Sequence, residues 1–207
     1  MLFWMLACFQ EKAQEIEFPT VLEPLEEIAA PLPDGDDYPE EIELRSEDGD
    51  EYASVHARGF LHLTLEEAWE ALRDDLVYVN QRTVSRYTVE ETESQIYDYV
   101  FVVHNEVDDL VTVEFTNEWR HYGNLNDKSE VTDVIVRWQK TDGTDFIQLI
   151  EGSVEILPVE GEDSVVEIRI IEHLKATLDQ EANAIEFVTD MAERWRLVGH
   201  GEPIPEY

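Results

Sequence analysis

Between residues 83 and 175 the chain reads as six strand-like stretches in succession, joined by connections too short to hold a helix. They fall at 83–90, 96–105, 110–119, 131–140, 145–157 and 165–175. Turn chemistry separates them: Asp108-Asp109, the polar run 123–130, the hairpin dipeptide Asp142-Gly143, and Gly161 within 160–163. Strands joined so tightly form an antiparallel meander, because a parallel pair needs a long crossover. One further strand stands upstream. Ala53, Val55 and Ala57 alternate with Ser54, His56 and Arg58, the period of a half-buried strand, and Gly59 is expected to bulge it before Phe60.

Two helical pieces frame this run. Thr64 is an N-cap with Glu67 three residues on, a capping box, and Leu65, Ala68, Trp69 and Leu72 recur at helical spacing to about residue 75. A second short helical or irregular piece is expected at 76–81. At the other end 178–198 reads as a long helix with Ala184, Val188, Met191, Trp195 and Val198 on one stripe, and Gly199 is expected at its C′ position. An antiparallel sheet has one face to cover, and this helix is the element available. The expected fold is therefore α+β: a curved antiparallel sheet of about seven strands gripping the C-terminal helix, with short helices after the first strand.

The first 51 residues differ in kind. They hold sixteen acidic residues against Lys12 and Arg45, and Pro19, Pro24, Pro31, Pro33 and Pro39 are five of the chain's eight prolines. Such sequence reads as an extended acidic tether over 9–51, ahead of a domain at 52–200 and a tail at 201–207. At its start, residues 2–7 are apolar and Cys8 follows, then Gln10, Glu11 and Lys12. Met5-Leu6-Ala7-Cys8 resembles the lipobox of bacterial lipoproteins, with Ala7 at the position before the cut. No Lys or Arg precedes the run, which suits a start upstream of Met1. The resemblance implies lipidation at Cys8, a membrane tether and a place in the cell envelope. The alternative is an apolar N-terminus packed on a cytoplasmic domain. Cys8 is the single cysteine, so no intramolecular disulfide forms.

Fourteen Lys and Arg against 49 Asp and Glu leave a formal charge of −35, which repels nucleic acid and anionic membrane surfaces. No nucleic-acid partner is expected. Only four residues are Lys, a balance that suits high salt, where counterions screen self-repulsion.

The layout resembles the helix-grip fold of the SRPBCC superfamily, which includes START lipid-transfer domains, the birch-pollen allergen family and polyketide cyclase-like proteins. The resemblance spans about residues 52–199. Its most specific stretch is 60–74 (FLHLTLEEAWEALRD), similar to the family's opening strand and Trp-bearing helix, with Leu65 where the family often has Pro. Residues 147–156 and 165–175 look like its late strands. The resemblance implies a cavity between sheet and C-terminal helix that accepts an apolar small molecule or lipid.

Candidate wall residues are Tyr99, Phe115, Trp119, Val136, Trp138, Ile168, Ile170, Val188, Met191 and Trp195, with Val111 beside Phe115. The same residues also suit a filled core. Tyr97 and Tyr99 are expected on one side of a strand, where a phenol orients a ligand or acts as an acid. The six His form no HxH or HxxxH pair, and no GxSxG, P-loop or GxGxxG occurs. Arg137 and His104 are expected on the outer sheet face. No metal, cofactor or catalytic residue is therefore expected. Three function classes follow: a non-catalytic binder or carrier of an apolar molecule, a cyclase or aromatase using the same pocket, and an envelope interaction module with a filled core.

Overall fold

A computed structural model describes residues 18–205 apart from 20, 36, 81 and 109–111. Among these residues the elements run β1 (Ile42–Asp48), β2 (Ala53–Leu61), α1 (Leu65–Ala71), α2 (Asp75–Tyr78), β3 (Arg86–Glu91), β4 (Tyr99–Asp108), β5 (Thr112–Leu125), β6 (Val131–Gly143), β7 (Ile147–Pro158), β8 (Val166–Ala176) and α3 (Gln180–Gly199). The strands form one sheet in the order β1-β2-β8-β7-β6-β5-β4-β3, and every neighbouring pair is antiparallel. The meander from β3 to β8 is as the short connections require. The link from β2 to β3 alone must cross the whole sheet, and α1 and α2 carry it.

The sheet's inner face and α3 close the core. Alternate residues of β2, β7 and β8 (Val55 and Ala57; Val154 and Ile156; Ile168 and Ile170) pack with Ala184, Val188, Met191 and Trp195 of α3. The helix starts two residues later than its apolar pattern and runs through Gly199. The left-handed residue after it is Gly201, at φ +65, and not Gly199. Gly199 is needed for another reason: a Cβ there would overlap the Leu63 side chain. Thr64 caps α1 as its sequence demands, with Oγ1 accepting from the Glu67 amide at 3.2 Å while Glu67 Oε2 accepts from the Thr64 amide at 2.9 Å.

Two expectations fail at the start of the domain. Gly59 makes no bulge; it sits in unbroken register between Ile42 and Ile168. Its missing side chain admits the Glu41 carbonyl, which a Cβ would strike. The reason is the second failure: β1, inside the stretch read as tether, is an eighth strand paired along β2. Ile42 and Leu44 alternate with acidic and basic neighbours, and that is enough once β2 offers an edge.

The described residues ahead of β1 cross the sheet's outer face as a strap. Arg120 lies over the Phe18 ring, and the Tyr97 hydroxyl donates to the Pro19 carbonyl at 2.8 Å. Arg137 then donates to the Glu23 carbonyl, Ser153 Oγ accepts from the Leu25 amide, and His56 Nδ1 accepts from the Ala29 amide. These contacts step in order over β5, β6, β7 and β2. Leu22 and Ala30 are buried beneath it, and covering Leu22 is worth about 2 kcal/mol. Pro-rich composition here limits helix and sheet within the strap without preventing it from lying on a sheet. Residues 1–17, including Cys8 and the lipobox-like run, lie outside the described residues, as does Val111.

One carboxylate pins the strap. Glu26 Oε1 reaches His56 Nε2 at 2.9 Å and His173 Nε2 at 3.2 Å, while His173 Nδ1 faces Glu151 at 3.1 Å. His56 is a neutral tautomer, since its Nδ1 accepts the Ala29 amide proton. His173 meets a carboxylate at each nitrogen. Burial works against its charge, but the Glu151 and Glu26 hydrogen bonds outweigh it and hold its pKa above the ordinary value. Burial likewise opposes the Glu26 charge, and the two histidines outweigh it and hold that pKa low.

The signs define a window. The His173 contribution is complete below the ordinary imidazole value and is lost as pH rises through the raised one. The Glu26 contribution is present above the ordinary carboxylate value and is lost as pH falls through the lowered one. Histidine NMR titration should find His173 above the ordinary value, and Glu26→Gln should lower it. A wild-type His173 at or below that value would contradict the pairing.

Candidate functional site

A single row of paired residues runs across the inner face. Phe101 of β4 stands opposite Trp119 of β5, Trp119 opposite Trp138 of β6, Trp138 opposite Gly152 of β7, and Gly152 opposite Glu172 of β8, which in turn faces Val55 of β2. The rings stack along it: Phe101 on Trp119 at 5.8 Å and 7°, Trp119 on Trp138 at 4.4 Å and 16°. At Gly152 the row has no side chain. The Trp138 indole occupies that gap, so that a Cβ on Gly152 would overlap its ring, and reaches across β7 to donate from Nε1 to Glu172 Oε2 at 2.8 Å.

On one side of this row the core is solid. On the other, the inner face and α3 part around a cavity of about 390 Å³. At ~30 Å³ per molecule this equals roughly a dozen waters. Trp119 and Glu172 form part of its floor. Val103, Asn105 and Val107 of β4, Phe115 and Asn117 of β5, Leu174 and Ala176 of β8, and Ala184 and Phe187 of α3 form walls, with Tyr78 closing from α2. Phe146 and Leu178 at its edge are 44% and 75% exposed, so the cavity opens between the β6–β7 turn and the start of α3.

Among the described residues of this lining Glu172 is the one with a carboxyl group. It is buried, and burial pushes its pKa well above the ordinary value; the Trp138 hydrogen bond opposes that rise and the Glu151 charge adds to it. Burial thus favours the protonated acid over the carboxylate. Asn117 Oδ1 is buried without a hydrogen-bond partner, and Asn105 Nδ2 donates to the Val103 carbonyl at 3.3 Å. Burial also raises the Tyr78 phenol. The arrangement offers an apolar chamber with a few hydrogen-bonding groups at its base.

Of the ten residues chosen from sequence, Phe115 and Trp119 line the cavity. Trp138 lies one strand beyond, under Phe187. Val136, Ile168, Ile170, Val188, Met191 and Trp195 are buried in the solid part of the core, and the Trp195 indole donates to the Ala68 carbonyl at 2.7 Å. Tyr99 is in the row beyond the aromatic floor, its hydroxyl donating to Glu91 at 3.1 Å and its pKa raised to about 12 by burial and that carboxylate.

Tyr97 does not share its side; it precedes β4 and meets Arg120 and Pro19 on the outer face. Arg137 and His104 also face outward, Arg137 toward the strap and His104 toward Thr116 Oγ1. Inward, His121 is fully buried, accepts from the Trp69 indole at Nδ1, and its pKa is pulled down to about 3 by burial with Arg73 adding to the fall. Among the described residues no group of three or more metal-type ligands converges.

Sequence reasoning missed Glu172, Asn105, Asn117, Tyr78 and Phe187. For Glu172 a signal was present: Val166, Ile168, Ile170 and Leu174 alternate inward on β8, and Glu172 falls in that series.

Solved structures with this architecture carry the decision on the fold. The lipid transfer and protein localization domain of human StarD13 matches 79% of this chain and 85% of its own, at a TM-score of 0.55 and 10% identity. This is the helix-grip fold of the START-type domains. A STAR-related lipid transfer protein fragment from Xanthomonas axonopodis matches 77% and 93% of the two chains at a TM-score of 0.51 and 10% identity. Human StAR-related lipid transfer protein 5 matches 77% and 82% at 0.50 and 10%. No protein-family model matches the chain, and no curated protein sequence does. At such identities the START-type likeness speaks for the fold, and the chemistry must come from the site.

The Trp138–Gly152–Glu172 arrangement is directly testable. Gly152→Ala forces the indole off β7 and should cost about 1–3 kcal/mol, as overpacking in a tight core does. Urea denaturation measures it. A variant as stable as the parent would show that the indole does not need the gap.

Proposed function

We propose that this protein binds and carries an apolar small molecule or lipid in the cavity between its sheet and α3, without transforming it. The observation that carries the reading is the cavity itself: about 390 Å³ within an otherwise filled core, open at one end, with aliphatic and aromatic walls. An interaction module would have no use for an opening into its core. The START-type neighbours described by their names as lipid transfer proteins support the same reading. Among the described residues the lining brings together one carboxyl and a phenol without a nucleophile beside a base, which favours holding a ligand over a cyclase reaction.

A tether is part of the proposal. Lipidation at Cys8 would hold the domain beside a membrane, where an apolar cargo is found, and two acyl chains give stable anchoring where one does not. Cys8→Ser, in a chain with its full leader, should abolish labelling by a palmitate analogue and release the protein from the membrane fraction. Unchanged fractionation would refute the tether and leave the cavity untouched.

The binding reading is checked with an apolar fluorescent probe. The wild-type protein should bind it saturably. Val113→Trp, at a half-buried position on the cavity wall, should lower affinity at least about tenfold, or ~1.4 kcal/mol, with an unchanged circular dichroism spectrum. A folded wild type that leaves the probe in solution overturns the reading.

A further inference from the structure

We propose that the ligand is an apolar amine, whose ammonium pairs with Glu172 at the cavity floor while its hydrocarbon lies along the walls. The inference rests on the reading of the cavity as a binding site and names the class of molecule that site would take.

The first ground is the balance of donors and acceptors. The described residues that line the cavity include no Lys, Arg or His. The Lys140 ammonium, on the neighbouring strand, is turned to the carbonyls of Thr144 and Ile147 at 3.2 and 2.7 Å. A carboxylate or phosphate head would enter without a countercharge. The floor offers a carboxyl group instead. Glu172 Oε2 accepts from the Trp138 indole, and among the described residues its other oxygen accepts no hydrogen bond. Asn117 Oδ1 is a further acceptor in the lining, without a hydrogen-bond partner among the described residues. An ammonium brings three donors to this place and a hydroxyl brings one.

The second ground is charge. A formal charge of −35 draws cations toward the surface and repels anions, and a low-dielectric cleft focuses that field. Size sets the hydrocarbon. A space of about 390 Å³ suits a single chain or a few fused rings rather than two acyl chains.

The proton balance is explicit. In the empty cavity burial favours the neutral acid form of Glu172. An arriving ammonium stabilises the carboxylate, the O–H bond breaks, and the proton leaves to solvent, so an ion pair forms where a neutral acid stood. Few other groups bear on this step. Tyr78 faces the cavity from α2 with its phenol held protonated, and Glu151 lies behind β7, paired with His173 on the outer face. Val55 from β2 and Ala184 and Phe187 from α3 carry no charge. Binding therefore releases one proton below the empty-site pKa, and affinity rises with pH by up to about tenfold per unit.

The test uses the full chain and three probes on one skeleton: decylamine, decanol and decanoate. Calorimetry in buffers of different ionisation enthalpy should give decylamine an affinity at least about tenfold above decanol, with decanoate weakest, and close to one proton released. Glu172→Gln, which keeps an acceptor for the Trp138 indole, should abolish both the proton release and the preference for amine over alcohol. Decanol or decanoate binding as tightly as decylamine overturns the proposal. So does an amine preference that survives Glu172→Gln in a folded protein. If none of the three probes binds the wild type, the carrier reading fails as well, whereas equal binding of all three leaves it standing and removes only the amine.

Discussion

The hydrogen bond from the Trp138 indole to Glu172 spans a whole strand, and it exists because Gly152 leaves that strand bare. Much of the interior follows from it. The indole is held flat against β7, so Trp119 can stack on it and Phe101 on Trp119. That aromatic floor divides the inner face into a filled half, where α3 packs through Val188, Met191 and Trp195, and an open half beneath Ala184 and Phe187. The same bond keeps a carboxyl group at the boundary. A buried carboxyl is costly unless it is hydrogen-bonded and neutral, and here the Trp138 indole supplies the bond while burial favours the protonated form. Stability and the chemistry of the cavity thus meet in one contact.

The outer face is organised by scarcity. With fourteen basic residues against 49 acidic ones, each cation is worth placing, and several are spent on this side of the sheet. Arg58 and Arg169 share Glu167, Arg120 pairs with Glu118, and Arg137 turns to a strap carbonyl. The strap itself adds acid to an acidic domain, and Glu26 offsets this by lying between two histidines. The charge that keeps nucleic acid away is therefore locally neutralised where the chain must fold back on itself.

The sequence carried the fold well because the fold is made of patterns it can write. Two-residue alternation in β2, β7 and β8, the Thr64–Glu67 box and the apolar stripe from Ala184 to Trp195 are local signals of period 2 or 3.6. The strap and β1 are not. Their contacts are backbone amides, one carboxylate and a few small apolar groups, in a stretch whose composition argues for a solvated tether. Leu22 and Ala30 look no different from residues left in water. Gly59 was misread for the same reason, since a glycine that admits a neighbouring strand and one that bulges look alike when that strand is unseen. The cavity lay beyond reach in another way. Aromatic and aliphatic residues of the inner face pointed to the right layer, but which end stays empty depends on where Trp138 lies, and that depends on a glycine on the neighbouring strand. Glu172 was hidden among the chain's other carboxylates, although the inward series on β8 includes it.

At the base of an open apolar cavity Trp138 holds the Glu172 carboxyl, and burial drives its pKa upward. Carbon-13 NMR titration of the glutamate carboxyls, read together with the Trp138 indole N–H, measures this most directly. The structure requires one glutamate to titrate far above the ordinary carboxylate range, with the Trp138 indole signal moving in the same step and the resonance missing in Glu172→Gln. A Glu172 that ionises with the surface glutamates, or an indole signal that ignores its titration, would contradict the account.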